Sequence, residues 1–181
     1  GNASTARAMK GAIGWAHSNS TYSFGSAYAA TNHITEEIFN DVLQAMWELG
    51  ATPDTCLAPP AQKRKISNWT ADGRLVFNTN ATDKKVVMTV RLVETDFGVI
   101  AIIPTRFLAP SDQGGTYYDS VLIYEKKHFT KLILEGRGPK RTQLAKSGDA
   151  DKYQILTEQT LKCHSTKAVG LISGCSRVKV S

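Results

Sequence analysis

From Thr35 onward the apolar residues follow a helical period. Ile38, Val42, Ala45/Met46 and Leu49 recur at i, i+4, i+7/8 and i+11, which makes one buried stripe. Phe39, Leu43 and Trp47 widen it, so the pattern predicts a helix covered on more than one side. Its ends are marked in the residues themselves. Thr35 suits the N-cap, Glu36 and Glu37 suit the positive end of the dipole, and Gly50 suits the stop. A short strand is expected over 55–58, and Pro60 then opens a second helix that runs to Trp69.

Later the period changes from helical to alternating. Val86 to Glu94 and Phe97 to Thr105 are β-rich runs joined through Thr95-Asp96, and they predict a hairpin. Shorter strands are expected at Val121 to Tyr124 and Leu132 to Glu135, on either side of a basic segment. Tyr153 to His164 reads as one long strand, with Tyr153, Ile155, Gln159, Leu161 and Cys163 tending to share a face. Other segments read as loops by their Gly, Ser, Asn, Asp and Pro content. These are 17–33, whose aromatics suggest that it packs on something, 71–85, 109–118 and 136–151. Residues 1–14 carry one short helical stretch, Ser4 to Met9. Helices and non-local strands mix without βαβ regularity, so the expected class is α+β.

Composition removes several functions. The chain has 181 residues, enough for a substantial core without disulfides or metals. Its longest unbroken apolar run, Val99 to Ile103, is far short of the roughly 20 residues that cross a bilayer, so no membrane partner is expected. No succession of charged, apolar and small residues opens the chain, and no signal peptide is expected. It starts Gly1-Asn2-Ala3 without an initiator Met, which reads as a processed or trimmed piece of something longer. Cys56, Cys163 and Cys175 are odd in number and far apart; they read as reduced thiols of a cytosol-like compartment.

Twenty-two Lys and Arg against 16 Asp and Glu give a net charge of +6. The excess is uneven. Residues 1–90 hold eight basic and seven acidic groups, while residues 91–181 hold 14 and nine. Two concentrations stand out: Lys63-Arg64-Lys65 on the second predicted helix, and the stretch from Lys126 to Lys152 with eight basic and three acidic residues. Such groups serve equally as a solvated face or as a polyanion contact, and no stacking aromatics or base-reading motif accompany them.

Catalytic and cofactor patterns are missing from the residues. His17, His33, His128 and His164 are scattered, with no metal spacing between them. Asp149-x-Asp151 lacks the rest of a Ca²⁺ loop, and Gly11-x-x-Gly14 and Gly136-x-Gly138 are too short for a phosphate-binding fingerprint. Ser147-Gly148 has no nucleophile elbow around it. Glu94 and Asp96 read as solvated carboxylates at a hairpin tip. The sequons at Asn2, Asn19, Asn68 and Asn80 read as chance matches. The residues alone therefore point to a binding or structural protein that is not an enzyme, with no metal, no cofactor and no small-molecule substrate.

Several blocks in order add to this. Thr35-Glu36-Glu37 and Leu43 to Gly50 are followed by Pro53-Asp54, Gln62 to Thr70 and Asp83-Lys84-Lys85. After them come Glu94 to Gly98, Pro104 to Phe107, Leu144 to Lys152, Glu158, Thr160-Leu161 and Gly170 to Ile172. The chain resembles, from about residue 3 to residue 172, the major capsid (major head) proteins of tailed bacteriophages with the Hong Kong-type capsid fold. The segment Tyr124 to Arg137 departs from the family in being more basic.

The resemblance implies a wedge-shaped subunit that tiles hexamers and pentamers into an icosahedral shell around double-stranded DNA. It places the end of the spine helix and a connecting loop at 1–33, the axial domain at 34–140, and the return to the peripheral domain at 141–181. The N-terminal arm, extended loop and most of the spine helix would precede the point matching Gly1, so this chain alone is not expected to close into shells. Partners implied are other copies of itself and packaged DNA touched without sequence preference, in a virion built in the host cytoplasm. Lys63, Arg64, Lys65, Lys126, Lys127, Lys140, Arg141 and Lys146 are the candidate DNA-facing or inter-subunit residues. Two alternatives stand beside it: a small basic nucleic-acid-binding module, and the shell of a phage-derived compartment.

Overall fold

The computed structural model describes residues 9–25, 31–69, 92–108, 120–145, 148–149 and 151–176. The expectations for 4–8, 71–85, 86–91 and 109–118, and the position of Lys146, lie outside the described residues.

Helix α1 spans Glu36–Glu48, with the Thr35 hydroxyl accepting the Ile38 N–H at 3.3 Å. Its stop is a Schellman turn. Gly50 takes φ +85°, its N–H reaches the Trp47 carbonyl at 2.9 Å, and the Ala51 N–H reaches the Met46 carbonyl at 3.0 Å. The face it buries is Phe39, Val42, Leu43 and Met46, at i, i+3, i+4 and i+7. That stripe is rotated from the expected one. Ile38 is half-buried, and Trp47 is exposed, its ring 6.2 Å from that of Phe97. Helix α2 spans Pro60–Trp69.

Six strands form one mixed sheet: β1 (Thr21–Ser23), β2 (Thr55–Ala58), β3 (Leu92–Thr95), β4 (Gly98–Pro104), β5 (Val121–Tyr124) and β10 (Val169–Ser173), in the order β1-β10-β5-β2-β4-β3. The β3–β4 hairpin pairs Thr95 with Gly98 and Val93 with Ile100; the hairpin is the expected one, with its turn at Asp96-Phe97, one residue later than the expected Thr95-Asp96. One sheet face packs on the helices. Cys56, Ala58, Ile100, Ile102, Val121, Ile123 and Ile172 meet Phe39, Val42, Leu43, Met46 and Ile66 there. Ile100 and Ile102 are two apart, so both point inward, at 0% and 3% exposure. Glycine is required at 170 because α1 crosses β10 there; a Cβ on Gly170 would meet Met46 Sδ at 2.6 Å and Val42 Cγ1 at 2.9 Å.

Three segments that read as loop or went unassigned have structure. Residues 18–20 form a 3-10 turn leading into β1, and Tyr22 and Phe24 pack against the core as the aromatics suggested. Val169–Ser173 is a central strand. The stretch 136–151 contains β7 (Lys140–Gln143). The opposite sheet face is covered at its β10–β5 end, where Leu122, Val169 and Leu171 pack with Ile13 and Trp15.

A buried glutamine ties distant segments together. Gln62, fully buried on α2, accepts the Ile34 N–H at 3.0 Å and donates to the Ser176 carbonyl at 2.8 Å. The Ser176 N–H in turn donates to the Asn32 carbonyl at 2.6 Å, so 32–34 and 174–176 are held side by side.

Candidate assembly surface

Between β5 and β10 the chain leaves the sheet and returns as a two-stranded ribbon. Its near part pairs β6 (Phe129–Ile133) with β9 (Gln159–Cys163), and its far part pairs β7 with β8 (Tyr153–Leu156). The expected strand at Leu132 to Glu135 is thus shifted toward Phe129. The expected single strand from Tyr153 to His164 is two strands, interrupted at Thr157 and Glu158. At that break Gly136 takes φ +74°, the Leu134 N–H donates to the Glu158 carbonyl and the Glu158 N–H to the Arg137 carbonyl, each at 3.0 Å, and the Arg137 guanidinium lies 3.5 Å from the Glu158 carboxylate.

At its root Phe129 and Cys163 pack with Ile13 and Trp15 against the sheet; farther out, alternate side chains project from both faces of the ribbon. On one face of the far part stand Arg141, Gln143, Tyr153 and Ile155; on the other stand Lys140, Thr142, Gln154 and Leu156. Apolar residues are exposed along its whole length: Leu132, Ile133, Leu134, Leu144, Tyr153, Ile155 and Leu156, with Ile155 at 70%. Basic groups interleave with them. The Arg141 guanidinium lies 3.6 Å from the centre of the Tyr153 ring. This mixture of apolar and cationic groups on a ribbon that cannot bury them suits contact with another surface.

The candidate basic residues fall into distinct groups. Lys126 and Lys127 are exposed at the root of the ribbon, and Lys127 pairs with Glu125. Lys140 and Arg141 are exposed on β7. On α2, over β4, Arg64 is exposed and Lys65 half-buried, but Lys63 turns inward at 7% exposure, its Nζ 3.3 Å from Ser67 Oγ. Burial lowers the Lys63 pKa, the neighbouring Cys56 working against it, and burial pushes the Cys56 thiol up to about 12. Lys146 lies outside the described residues.

Glu125, which the sequence did not single out, is 3% exposed at the end of β5. Burial alone would raise its pKa. The Lys127 ammonium and the Thr52 N–H and hydroxyl outweigh that and hold it below its ordinary value.

His128 and His164 are backbone neighbours across the ribbon, the His164 N–H donating to the His128 carbonyl at 2.9 Å, while His17 and His33 lie elsewhere. His17 Nδ1 accepts the Asn19 N–H, His128 lies 3.4 Å from Glu125, and His164 lies 3.0 Å from the Thr130 hydroxyl. Burial, with Lys65 nearby, lowers the His33 pKa. Among the described residues no three His, Cys, Asp or Glu side chains gather as a metal site would require. A cavity of about 390 Å³ between α1, α2 and β3 is lined by Phe39, Ile66 and Trp69, with Glu36, Glu94 and Asp96 as its titratable groups. Among the described residues no His, Cys, Ser or Lys lines it, and the Thr95 hydroxyl donates to the Gly98 carbonyl at 2.9 Å.

The fold is that of Hong Kong-type shell proteins. The holo-SrpI encapsulin complex from Synechococcus elongatus PCC 7942 is similar at a TM-score of 0.58 and 10% identity, over 94% of this chain and 59% of that one. A virus-like particle from Pyrococcus furiosus (TM-score 0.39, 12% identity, 85% of this chain, 55% of that one) and Mycobacterium phage Ogopogo (0.39, 12%, 82% and 56%) are also similar. The chain thus spans 55–59% of the length of these neighbours. No curated protein matches it. The family model of the SU10 major capsid protein matches residues 1–176, and the chain belongs to that family.

Proposed function

We propose that the protein carrying this chain self-assembles into the icosahedral head enclosing phage double-stranded DNA, and that the ribbon makes contacts between subunits. The observation that carries this is the row of apolar residues left exposed on both faces of the ribbon. Contacts of this kind are individually weak and gain strength from repetition in a closed shell. The division into a connecting segment (1–33), an axial domain (34–140) and a return to the peripheral domain (141–181) belongs to the same reading. So do a location in the virion, synthesis in the host cytoplasm, and a non-enzymatic role.

The exposed cations Arg64, Lys126, Lys127, Lys140 and Arg141, with Lys65 and Lys146, would meet phosphates of packaged DNA or acidic groups of neighbours. Phosphate contact needs no base readout and is steeply salt-dependent. The experiment replaces Ile155 and Leu156 by Asp in the gene product that carries this chain. Loss of particles with the melting temperature of the subunit retained is the expected result; normal particles would remove the ribbon from the assembly surface. DNA recovered from purified particles after nuclease treatment separates a phage head from the shell of a phage-derived compartment. A clear preference for one duplex sequence by the isolated chain would favour a nucleic-acid-binding module instead.

A further inference from the structure

The ribbon does not continue β5 and β10 smoothly. The last pair of the body ladder is Val169 with Tyr124, and the first pair of the ribbon is Phe129 with Cys163. Between them both strands take a 3-10 turn at the same level, Lys126–His128 on one side and Thr166–Ala168 on the other. Each turn spends a bond on itself, His128 N–H to the Glu125 carbonyl at 3.2 Å and Ala168 N–H to the Ser165 carbonyl at 3.3 Å. The bonds that cross are Glu125 N–H to the Ala168 carbonyl at 3.1 Å and His164 N–H to the His128 carbonyl at 2.9 Å. A continuous ladder fixes the direction of a strand pair at every residue, whereas this joint leaves the direction to a few contacts.

Those contacts come largely from the loop between α1 and β2. The buried Glu125 carboxylate accepts the Thr52 N–H at 3.1 Å and the Thr52 hydroxyl at 2.9 Å, and it pairs with Lys127 and, at 3.4 Å, with His128. From the loop's side, Asp54 Oδ1 accepts the Lys126 N–H at 3.1 Å. One carboxylate therefore reaches from the joint to the loop, and one from the loop to the joint. Apolar packing adds the Phe129 ring, edge-on to Tyr124 at 5.4 Å. Burying a carboxylate is costly unless it is fully engaged, and here its partners are the loop and the first residues of the turn.

We propose that this paired 3-10 turn is an articulation between the sheet body and the ribbon, and that the Glu125–Thr52 and Asp54–Lys126 contacts are the pin that sets its angle. Glu125 is a positioning residue in this account, acting through Thr52 and the turn. The assignment does not rest on the capsid role, since the joint belongs to the isolated chain.

The test places spin labels on the body at Gln44→Cys, on the outer surface of α1, and on the near ribbon at Thr160→Cys. The half-buried Cys163 is replaced by Ser, and Cys56 and Cys175 are buried. Pulsed dipolar distance measurement reads the spread of ribbon positions. The parent should give one narrow distance population. Glu125→Gln and Thr52→Val should each broaden it or add a second population, and Thr52→Ser should restore the parent's distribution. A pair within the body, Gln44→Cys with Val99→Cys, should stay narrow throughout. If Glu125→Gln fails to fold, the exposed-loop variant Thr52→Val decides alone. An unchanged ribbon distance in Thr52→Val, or equal broadening in the body pair, would overturn the pin.

Discussion

The contact of α1 with β10 permits a sharp prediction at Gly170. In Gly170→Ala the new Cβ would sit 2.6 Å from Met46 Sδ, 2.9 Å from Val42 Cγ1 and 3.3 Å from the Ser20 carbonyl oxygen. Apolar carbons pack at about 3.5–4.0 Å. Met46 is unbranched and can swing its sulfur aside. Val42 cannot, because a β-branched residue inside a helix is held in one rotamer. The shortfall at Val42 is thus taken up by moving the helix or the strand. Overpacking of this kind costs about 1–3 kcal/mol, and the stiffer unfolded chain of the alanine variant returns about 0.4–1 kcal/mol. A net loss of about 1–2 kcal/mol lowers the melting temperature by roughly 2–8 °C for a chain of this size. Thermal unfolding followed by circular dichroism measures it. A second variant, Val42→Ala, makes room at the same spot, so the double variant should cost less than the two singles together, with a coupling of about 0.5–3 kcal/mol. A Gly170→Ala protein that melts at or above the parent, or singles that add without coupling, would refute this packing.

Ile100→Asp and Ile102→Asp each bury a lone carboxylate on the helix-facing side of β4 and should each cost roughly 3–5 kcal/mol, whereas Val99→Asp on the exposed side should shift stability by less than about 0.5 kcal/mol in the same denaturant titration. Gln62→Leu leaves the Ile34 N–H and the Ser176 carbonyl without their partner, a loss of about 2–4 kcal/mol, with faster amide exchange at Ile34 as its local signature. Glu125 has a folded-state pKa below its ordinary 4.5, so the unfolded chain binds its proton first as pH falls. The stability it adds is full above that value and is lost as pH drops through the folded pKa. The gap between parent and Glu125→Gln should therefore be constant near neutrality and shrink below about pH 4.5; a gap that widens in acid would reverse the sign.

Local signals in the sequence located α1, α2, β2, β5 and the β3–β4 turn because each is written within a few residues. Thr35 caps, Gly50 stops, Pro60 starts, and the chain turns within a residue of Thr95-Asp96. What was not legible depends on partners far away in the chain. β10 is strand because Gly170 lets α1 approach and because β1 and β5 flank it, and a run of five residues does not announce that. The rotation of the α1 stripe toward Phe39 follows from Trp69 packing against Phe39, with ring centres 5.8 Å apart, while Trp47 is left at the hairpin edge. The ribbon's return limb, 153–164, reads as one strand because Ile155, Leu161 and Cys163 alternate like a half-buried surface, although β8 is exposed on both faces. Nothing in the sequence marks Glu125, since its contacts with Thr52 come from a loop more than 70 residues earlier. Of the basic residues, spacing along α2 could not tell that Lys63 turns inward while Arg64 faces solvent.

The account stands or falls on whether this chain is the repeating unit of a shell. Cryo-electron microscopy of the particles formed by the gene product that carries it, expressed alone and with its phage, reads this directly. The account predicts closed shells of regular diameter in which the sheet body and the ribbon occupy every subunit position, with the ribbon against a neighbouring subunit. Soluble subunits that never form closed particles, or particles whose lattice is built from another protein, would contradict it.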